Sequence, residues 1–181
     1  KFNQILSDIT EKVYHKAPIF KNELINKQKV SPAVYKPRKD LLRLAVAERN
    51  SPFLGLPEDK FPAEKTIYLS LLHQNGLHRE FDGQWDFYPP DDSSPMINLW
   101  NACEEFFDST QTGAKAVQEL INLLEKAPFG LKSGFIETWI PLYLIMKENN
   151  YALFHEGAYV PEICSLGIQN YLRSKLITFQ M

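Results

Sequence analysis

Residues 77–88 read Leu-His-Arg-Glu-Phe-Asp-Gly-Gln-Trp-Asp-Phe-Tyr and contain the clearest local signal for the fold. Phe81 and Trp85 flank the pair Asp82-Gly83. An Asp-Gly pair between apolar positions is typical of a two-residue β-hairpin turn. This stretch therefore predicts two short antiparallel strands.

Helical patterns precede the hairpin. Apolar residues recur at helical spacing over residues 2–14, 19–26, 32–48 and 62–76. The third helix begins at Ser31-Pro32, because a serine oxygen caps free N–H groups and proline lacks the N–H that this position leaves unused. Pro37 lies inside the same segment and predicts either a kink or a delayed helix start.

The second half of the chain repeats this order. We expect helices over residues 97–107, 117–126 and 134–147, the last of which must accommodate Pro141. A second hairpin follows over residues 152–160, turning on Glu156-Gly157, and a tail helix over residues 166–172. Each hairpin is closed by a proline-acid step. Helices followed by a hairpin are typical of winged-helix modules, so the predicted fold is mainly α with short β-hairpins, in tandem winged-helix-like units of residues 1–92 and 93–181.

Composition is that of a globular protein with an uneven charge distribution. The 181 residues are 44% hydrophobic and 23% charged, which supplies enough apolar side chains for a core. Residues 1–50 have a net charge of +6 and residues 51–181 a net charge of −8. Such a dipole can steer a polyanion to the basic end or pair that end with an acidic neighbour, and two differently decorated solvated faces are the alternative.

The basic N-terminal region supplies the candidate nucleic-acid-binding residues. In a helix-turn-helix interpretation, residues 19–26 form the positioning helix and residues 32–48 the reading helix. Cations near a helix start can contact phosphates. The alternatives are a solvated face or a contact with another part of the parent protein, and a pI near 6.1 is low for a nucleic-acid-binding domain. The candidate residues are Lys27, Lys29, Lys36, Arg38, Lys39 and Arg43.

Patterns for catalysis, metals and cofactors are not found. His73 and His78 are five residues apart, whereas a helical pair of metal ligands needs a spacing of three or four. Glu104 and Glu105 are adjacent, so on a helix they point about 100° apart. The sequence contains no phosphate-binding loop, dinucleotide fingerprint or nucleophile elbow. We therefore expect no catalytic residues, no metal and no cofactor in this chain, and an enzyme with an unrecognised site is the remaining alternative.

The cysteines indicate the redox state of the cellular compartment, and the hydropathy indicates whether the chain associates with a membrane. Cys103 and Cys164 are far apart and outside any zinc pattern, so two free thiols in a reducing cytoplasm are expected. The longest apolar stretch, residues 135–146, contains Glu137 and is shorter than the roughly 20 residues of a membrane span, so no membrane association is expected. The chain begins Lys-Phe, and we interpret it as a piece of a longer protein.

Aromatic residues are numerous, and most are expected in the core. Trp85 or Tyr88 on the first hairpin could instead remain exposed and stack on a base or a partner side chain.

Several strings resemble a helical region of large multidomain P-loop ATPases from bacterial restriction and anti-phage defence loci. They are residues 13–18 (Val-Tyr-His-Lys-Ala-Pro) with 21–27, residues 54–57 (Leu-Gly-Leu-Pro) with 61–62 and 76–78, and residues 127–134 with 154–161. The resemblance implies that the ATP site belongs to another part of the parent protein. It also implies a nucleic-acid- or partner-binding role for this region.

Two binding functions therefore stay open beside the enzyme alternative. The first is a nucleic-acid-binding module, with DNA as the first ligand to test. The second is a protein–protein or intramolecular scaffold that binds other domains of the parent protein or subunits of a complex. The scaffold function predicts an exposed apolar patch on a helix or hairpin.

Overall fold

The computed structural model describes residues 2–155, 158–160 and 177–180. The α-helices are α1 (Phe2–Val13), α2 (Tyr35–Ala47), α3 (Ala63–Tyr68), α4 (Ile97–Asp108), α5 (Val117–Glu125) and α6 (Ser133–Met146). The strands are β1 (His78–Phe81), β2 (Gln84–Phe87), β3 (Lys115–Ala116), β4 (Ala152–His155), β5 (Ala158–Val160) and β6 (Ile177–Gln180). The predicted class, mainly α with short hairpins, is confirmed.

Helix α6 lies at the centre of the core because its sequence is almost entirely apolar, with Glu137 as its one charged residue. A helix without a polar face must be buried all round, and 11 of its 14 residues are buried. Trp139 donates to the Cys103 sulfur of α4 at 3.4 Å, and Tyr143 packs edge-on against Trp100 at 5.2 Å. Buried side chains from both halves of the chain join in one apolar cluster around this helix.

The proline inside α6 explains an unexpected buried charge. Pro141 has no N–H, so it cannot donate to the carbonyl of Glu137 one turn earlier. Arg38 of α2 supplies the missing donor: its Nη2 lies 3.1 Å from the Glu137 carbonyl and 3.1 Å from the Glu137 carboxylate. The proline is therefore tolerated because a side chain from another helix satisfies the freed backbone group.

Residues 19–26 do not form the predicted positioning helix. The segment is a turn held by its asparagines: Asn22 Oδ1 accepts from the backbone N–H of Leu24 at 2.9 Å, and Asn26 donates to the Phe20 carbonyl at 2.9 Å. Asparagine side chains compete with helical hydrogen bonds in this way. The helix-turn-helix interpretation is therefore wrong in its first helix.

The predicted reading helix forms with the delayed start that Pro37 indicated. Ser31 accepts from the N–H of Ala33 at 3.4 Å and begins a 3₁₀ turn, Pro32–Val34, before α2 starts at Tyr35. Farther along, α3 continues into a π-helical turn, Leu69–His73.

Both predicted hairpins form, but they differ in context. In the first, Asp82 and Gly83 both have positive φ, as a type I′ turn requires, and β1 and β2 form a two-stranded sheet. In the second, β4 pairs with β5, and β4 also pairs with β6, in a four-stranded sheet of order β3-β6-β4-β5. The turn at residues 156–157 and the predicted tail helix 166–172 lie outside the described residues.

No helix in the part of the chain that the structure describes is long and apolar enough to cross a bilayer.

Candidate functional site

Five of the six candidate basic residues lie on the surface, on two neighbouring segments. Lys27 and Lys29 are exposed in the turn before α2, and Lys36, Lys39 and Arg43 are exposed on α2 itself. Their spacing of three and four residues places the helical three on one face. We call these five residues the basic face.

The charge of the basic face is partly neutralised. Lys36 Nζ lies 2.5 Å from the Asp40 carboxylate. This hydrogen bond and the negative charge of Asp40 raise the pKa of Lys36. Lys39 and Arg43 therefore contribute the less compensated charge on the helical part of the face.

Arg38 does not belong to the basic face, contrary to the sequence prediction. Its side chain is 1% exposed, because position 38 faces α6 and its guanidinium donates to Glu137. A side chain in this position cannot contact a phosphate. A signal in the sequence could have separated Arg38 from Lys39, because Arg38 lies three, four and seven residues before the apolar residues Leu41, Leu42 and Ala45 and therefore on their face of the helix. The acceptor that holds Arg38 comes from a distant helix and has no such signal.

An open groove of about 710 Å³ runs beside the turn that holds Lys27. Its lining combines Lys21 and Lys27 with polar residues of α3 and the residues after it, including Ser70 and Asn75. Asn22 ties the two walls together by donating to Ser70 Oγ at 2.8 Å. The lining also includes Glu23 and the apolar residues Ile19, Phe20 and Leu24, so the groove is of mixed character.

An exposed apolar surface made of several neighbouring side chains lies on α1. Ile5, Leu6, Ile9 and Val13 recur at helical spacing on one side of the helix, and we call them the α1 stripe. Their side chains remain 42–55% exposed. The sequence predicted this amphipathic helix. Amphipathicity indicates that the apolar face packs against another surface, but it does not show which surface covers it. The stripe was therefore missed as a candidate site.

A small groove of mixed polar and apolar lining lies between α5 and α6, and Ile136 and Ile140 in it are almost fully buried. This groove of about 220 Å³ is lined by Ile121 of α5 and by Ile136 and Ile140 of α6, with Gln118 and Glu125 among its polar residues. The groove is near the turn of residues 126–132. The segment that follows α1 contacts the same turn, because the N–H of Lys16 donates to the Pro128 carbonyl at 3.2 Å.

His78, at the start of the first hairpin, is held by hydrogen bonds at both ring nitrogens. The Arg49 carbonyl accepts a hydrogen bond from His78 Nε2 at 2.8 Å. The other ring nitrogen therefore accepts from the Tyr68 hydroxyl, also at 2.8 Å. Burial lowers the pKa of His78, with a smaller opposing effect from its bond to Arg49. His78 is thus a neutral bridge between the hairpin, α3 and the end of α2.

Two further side chains that could take part in catalysis, Glu104 and Cys103, are hydrogen-bonded to neighbouring residues. Glu104 accepts from the Tyr143 hydroxyl at 2.7 Å and from Lys147 at 2.7 Å. Burial raises the pKa of the Cys103 thiol to about 12, so this sulfur is not an activated nucleophile. Among the described residues, no three His, Cys, Asp or Glu side chains are grouped to hold a metal ion.

Aromatic exposure on the first hairpin differs in detail from the expectation. Trp85 is half-buried and packs on Phe53 at 5.2 Å. Phe81 is the exposed ring, and it lies 5.6 Å from Tyr88, over which the Arg79 guanidinium is placed at 5.0 Å. The hairpin therefore presents a small aromatic surface through Phe81 and Tyr88.

Comparison with protein-family models, with curated proteins and with solved structures finds no match to this chain.

Proposed function

We propose that the chain is a non-catalytic protein-interaction module that binds its partner through the α1 stripe. The carrying observation is that four aliphatic side chains on one face of a regular helix remain about half exposed. Covering the exposed half of such a side chain is worth roughly 1 kcal/mol, or about 4 kcal/mol for the stripe. A surface of this kind is typical of a protein-binding site.

The partner chemistry follows from the shape of the stripe. An amphipathic helix is recognised by an apolar groove that accepts side chains at positions i, i+3 or i+4, and i+7 or i+8. Ile5, Ile9 and Val13 present this spacing. The partner is therefore another protein, or another domain of a longer parent, that has an apolar groove with a polar rim.

Photo-crosslinking tests this function. A photoreactive amino acid is placed at position 9, within the stripe, and in a control at position 7, on the opposite face of α1. Cells expressing each variant of the chain are irradiated, and crosslinked products are identified by mass spectrometry. We expect a discrete crosslinked product from position 9 and at least ten-fold less of it from position 7. In a separate assay with the purified partner, Ile9→Asp should abolish binding. Equal crosslinking from both faces would reject the proposal.

A polyanion is the second candidate ligand, supported by the exposed cations of the basic face. If three to five of these cations replace counterions on duplex DNA, affinity falls about 40- to 500-fold between 50 and 200 mM salt. Fluorescence anisotropy with a 25-base-pair duplex measures this slope. The double variant Lys39→Ala/Arg43→Ala should reduce the slope by about two charges, whereas Lys60→Ala, an exposed lysine in the acidic part of the chain, should leave it unchanged. No binding at 50 mM salt would reject the nucleic-acid function.

The proposal also includes a winged-helix-like order of elements in each half of the chain and a role within a larger protein. Helix α2 followed by α3 and the β1–β2 hairpin supports a winged-helix-like order in the first half, and α6 followed by β4–β5 supports one in the second. A role as the interaction region of a defence-associated ATPase in the cytoplasm rests on the sequence resemblance alone. It predicts that a phosphate-binding loop lies in the same polypeptide or complex.

A further inference from the structure

We infer that the β1–β2 hairpin is an acid-sensitive switch, which detaches from α2 and α3 when His78 gains a proton while the core around α6 stays folded. His78 begins β1 and is fully buried. Detachment exposes the covered parts of Phe53 and Trp85, two rings that pack on each other at 5.2 Å when the hairpin is in place. The switch is independent of the α1 stripe.

His78 connects the hairpin to two other parts of the fold. Its Nε2 donates to the carbonyl of Arg49, just after α2, and its Nδ1 accepts from the Tyr68 hydroxyl of α3, both at 2.8 Å. The ring also packs on Trp85 and Phe87 of β2, with centroids 5.3 and 4.9 Å away. A neutral imidazole satisfies both hydrogen bonds at once, because one nitrogen donates and the other accepts.

A proton on His78 disrupts this arrangement. Both nitrogens of an imidazolium are donors, so Nδ1 can no longer accept from Tyr68. The Tyr68 hydroxyl can turn to accept from Nδ1, but its own hydrogen then loses its acceptor, and an unpaired buried donor is unfavourable. Tyr68 is fully buried, so water reaches this hydroxyl only after the hairpin has moved. Protonation therefore favours the detached hairpin.

The charged groups around His78 do not compensate its proton. Asp86 of β2 and Glu148, just after α6, both pair with the guanidinium of Arg49. Burial has the largest effect and lowers the pKa of His78. The bond to the Arg49 carbonyl and the charge of Asp86 act in the opposite direction, and His73 and the Arg49 charge lower the pKa further. A detached, solvated ring gains its proton near pH 6.5, so detachment becomes more favourable as the pH falls below about 6.5.

The contacts that hold the hairpin also maintain strained backbone. Phe53 and Leu54 have φ values of +52° and +55° and are followed by Gly55 at +65°. Non-glycine residues keep this left-handed conformation only where their surroundings enforce it. Phe53 packs on Trp85 at 5.2 Å and on His73 at 5.0 Å, and the buried Nδ1 of His73 has no hydrogen-bond partner among the described residues. Detachment relaxes the turn and opens this nitrogen to water, and both effects lower its cost.

The hairpin can leave without unfolding the core. Strands β1 and β2 form a two-stranded sheet of their own, and of the four residues in each strand His78 alone is buried. The contacts of Trp139 and Tyr143 at the centre of the core are with α4. An element with few buried residues opens at a lower free energy than the whole molecule. His78 is therefore the main attachment of the hairpin to the core.

Amide hydrogen exchange of the full chain, followed by NMR at pH 7.5, 6.5 and 5.5, tests the switch. Protection factors are compared between the hydrogen-bonded amides of the hairpin, such as Tyr88, whose N–H donates to the Leu77 carbonyl at 3.0 Å, and the amides of α6. We expect hairpin protection to fall about five- to ten-fold between pH 7.5 and 5.5, as uptake of one proton requires, and to stay at least about ten-fold below that of α6. Equal protection of hairpin and α6 at every pH would show that they open together and would overturn the inference.

Two histidine variants identify the group that is responsible. His78→Gln removes the titrating ring, so hairpin protection should change less than about two-fold over the same pH range. His15→Gln replaces an exposed histidine and should keep the wild-type pH dependence. An undiminished pH dependence in His78→Gln, or hairpin protection in the wild type that does not change with pH, would overturn the inference. The second of these results needs no variant, so it decides even if His78→Gln does not fold.

Discussion

Replacing Gly134 with alanine tests how closely the turn of residues 25–30 packs on the start of α6. The N–H of Gly134 donates to the Lys27 carbonyl at 2.8 Å. A β-carbon at this position would lie 2.6 Å from the Ile25 carbonyl oxygen and 2.7 Å from the Lys27 carbonyl oxygen, and it would also meet the Val30 side chain. Two of these three obstacles are backbone atoms, so a change of side-chain rotamer cannot relieve the overlap.

The sign of the change in the free energy of unfolding shows whether tertiary packing or helix propensity dominates at residue 134. Propensity alone favours alanine over glycine in a helix by up to about 1 kcal/mol. Against this, forcing a methyl group into a packed site costs about 1–3 kcal/mol, and loss of the hydrogen bond to Lys27 costs about 1 kcal/mol. We expect Gly134→Ala to lower the free energy of unfolding by about 1–3 kcal/mol, which for a chain of this size lowers the Tm by about 2–12 °C.

Urea titration followed by tryptophan fluorescence, together with thermal unfolding followed by circular dichroism, measures the change. The matched control is Ser133→Ala, the preceding residue of the same helix, which loses only an exposed hydrogen bond to Gln28 of 3.1 Å. We expect that control to cost less than about 1 kcal/mol. A Gly134→Ala protein as stable as wild type, or more stable, would refute the close packing inferred at this site.

Three further changes test other parts of the structure. The pKa of His78 is lower in the folded chain than its ordinary value. The folded state therefore keeps the ring neutral, and stability is full above about pH 6.5 and declines below it, by at most about 1.4 kcal/mol per pH unit for one proton. Urea titrations of wild type and His78→Gln between pH 7.5 and 5 should show a flatter dependence in the variant, and parallel curves would contradict this. Gly83→Ala should cost about 1 kcal/mol, because residue 83 has a φ of +75° with no atom within 4 Å of an added β-carbon; a loss above about 3 kcal/mol would show that the turn is packed. Arg38→Ala should cost about 3 kcal/mol, since it empties a buried site and leaves the Glu137 carbonyl without this donor, whereas Lys39→Ala should change stability by less than about 0.5 kcal/mol. Equal losses at residues 38 and 39 would contradict the different burial of these neighbours.

Local signals in the sequence predicted most of the regular elements. The Asp82-Gly83 turn, the cap at Ser31 and the delayed start of α2 depend on a few adjacent residues, and all are observed. Residues 19–26 were predicted wrongly because their apolar spacing is helical, whereas the hydrogen bonds of Asn22 and Asn26 favour a turn. The spacing of apolar residues does not show that these asparagine side chains compete for the backbone hydrogen bonds.

Candidate site residues were harder to predict, as neighbouring positions illustrate. Arg38 and Lys39 are both basic, adjacent and on the same predicted helix. Helical spacing places Arg38 on the face of Leu41 and Leu42 and turns Lys39 away from it. What the sequence could not show is the carbonyl of α6 that Pro141 frees and that Arg38 satisfies. Similarly, the second hairpin looked isolated in sequence, but β6 adds to it from residues 177–180 and links it to the two-residue strand β3. Such pairings have no local signature.

By itself, the sequence determined that α1 is amphipathic, that α6 is almost entirely apolar and that the first hairpin turns at Asp82-Gly83. These properties follow from residue order, because helix and turn geometry relate residues only a few positions apart. Only the tertiary structure decided that α6 is enclosed, that Arg38 is buried and that the α1 stripe remains exposed. Burial depends on which distant segments lie against a face, and residues far apart in the chain determine that together.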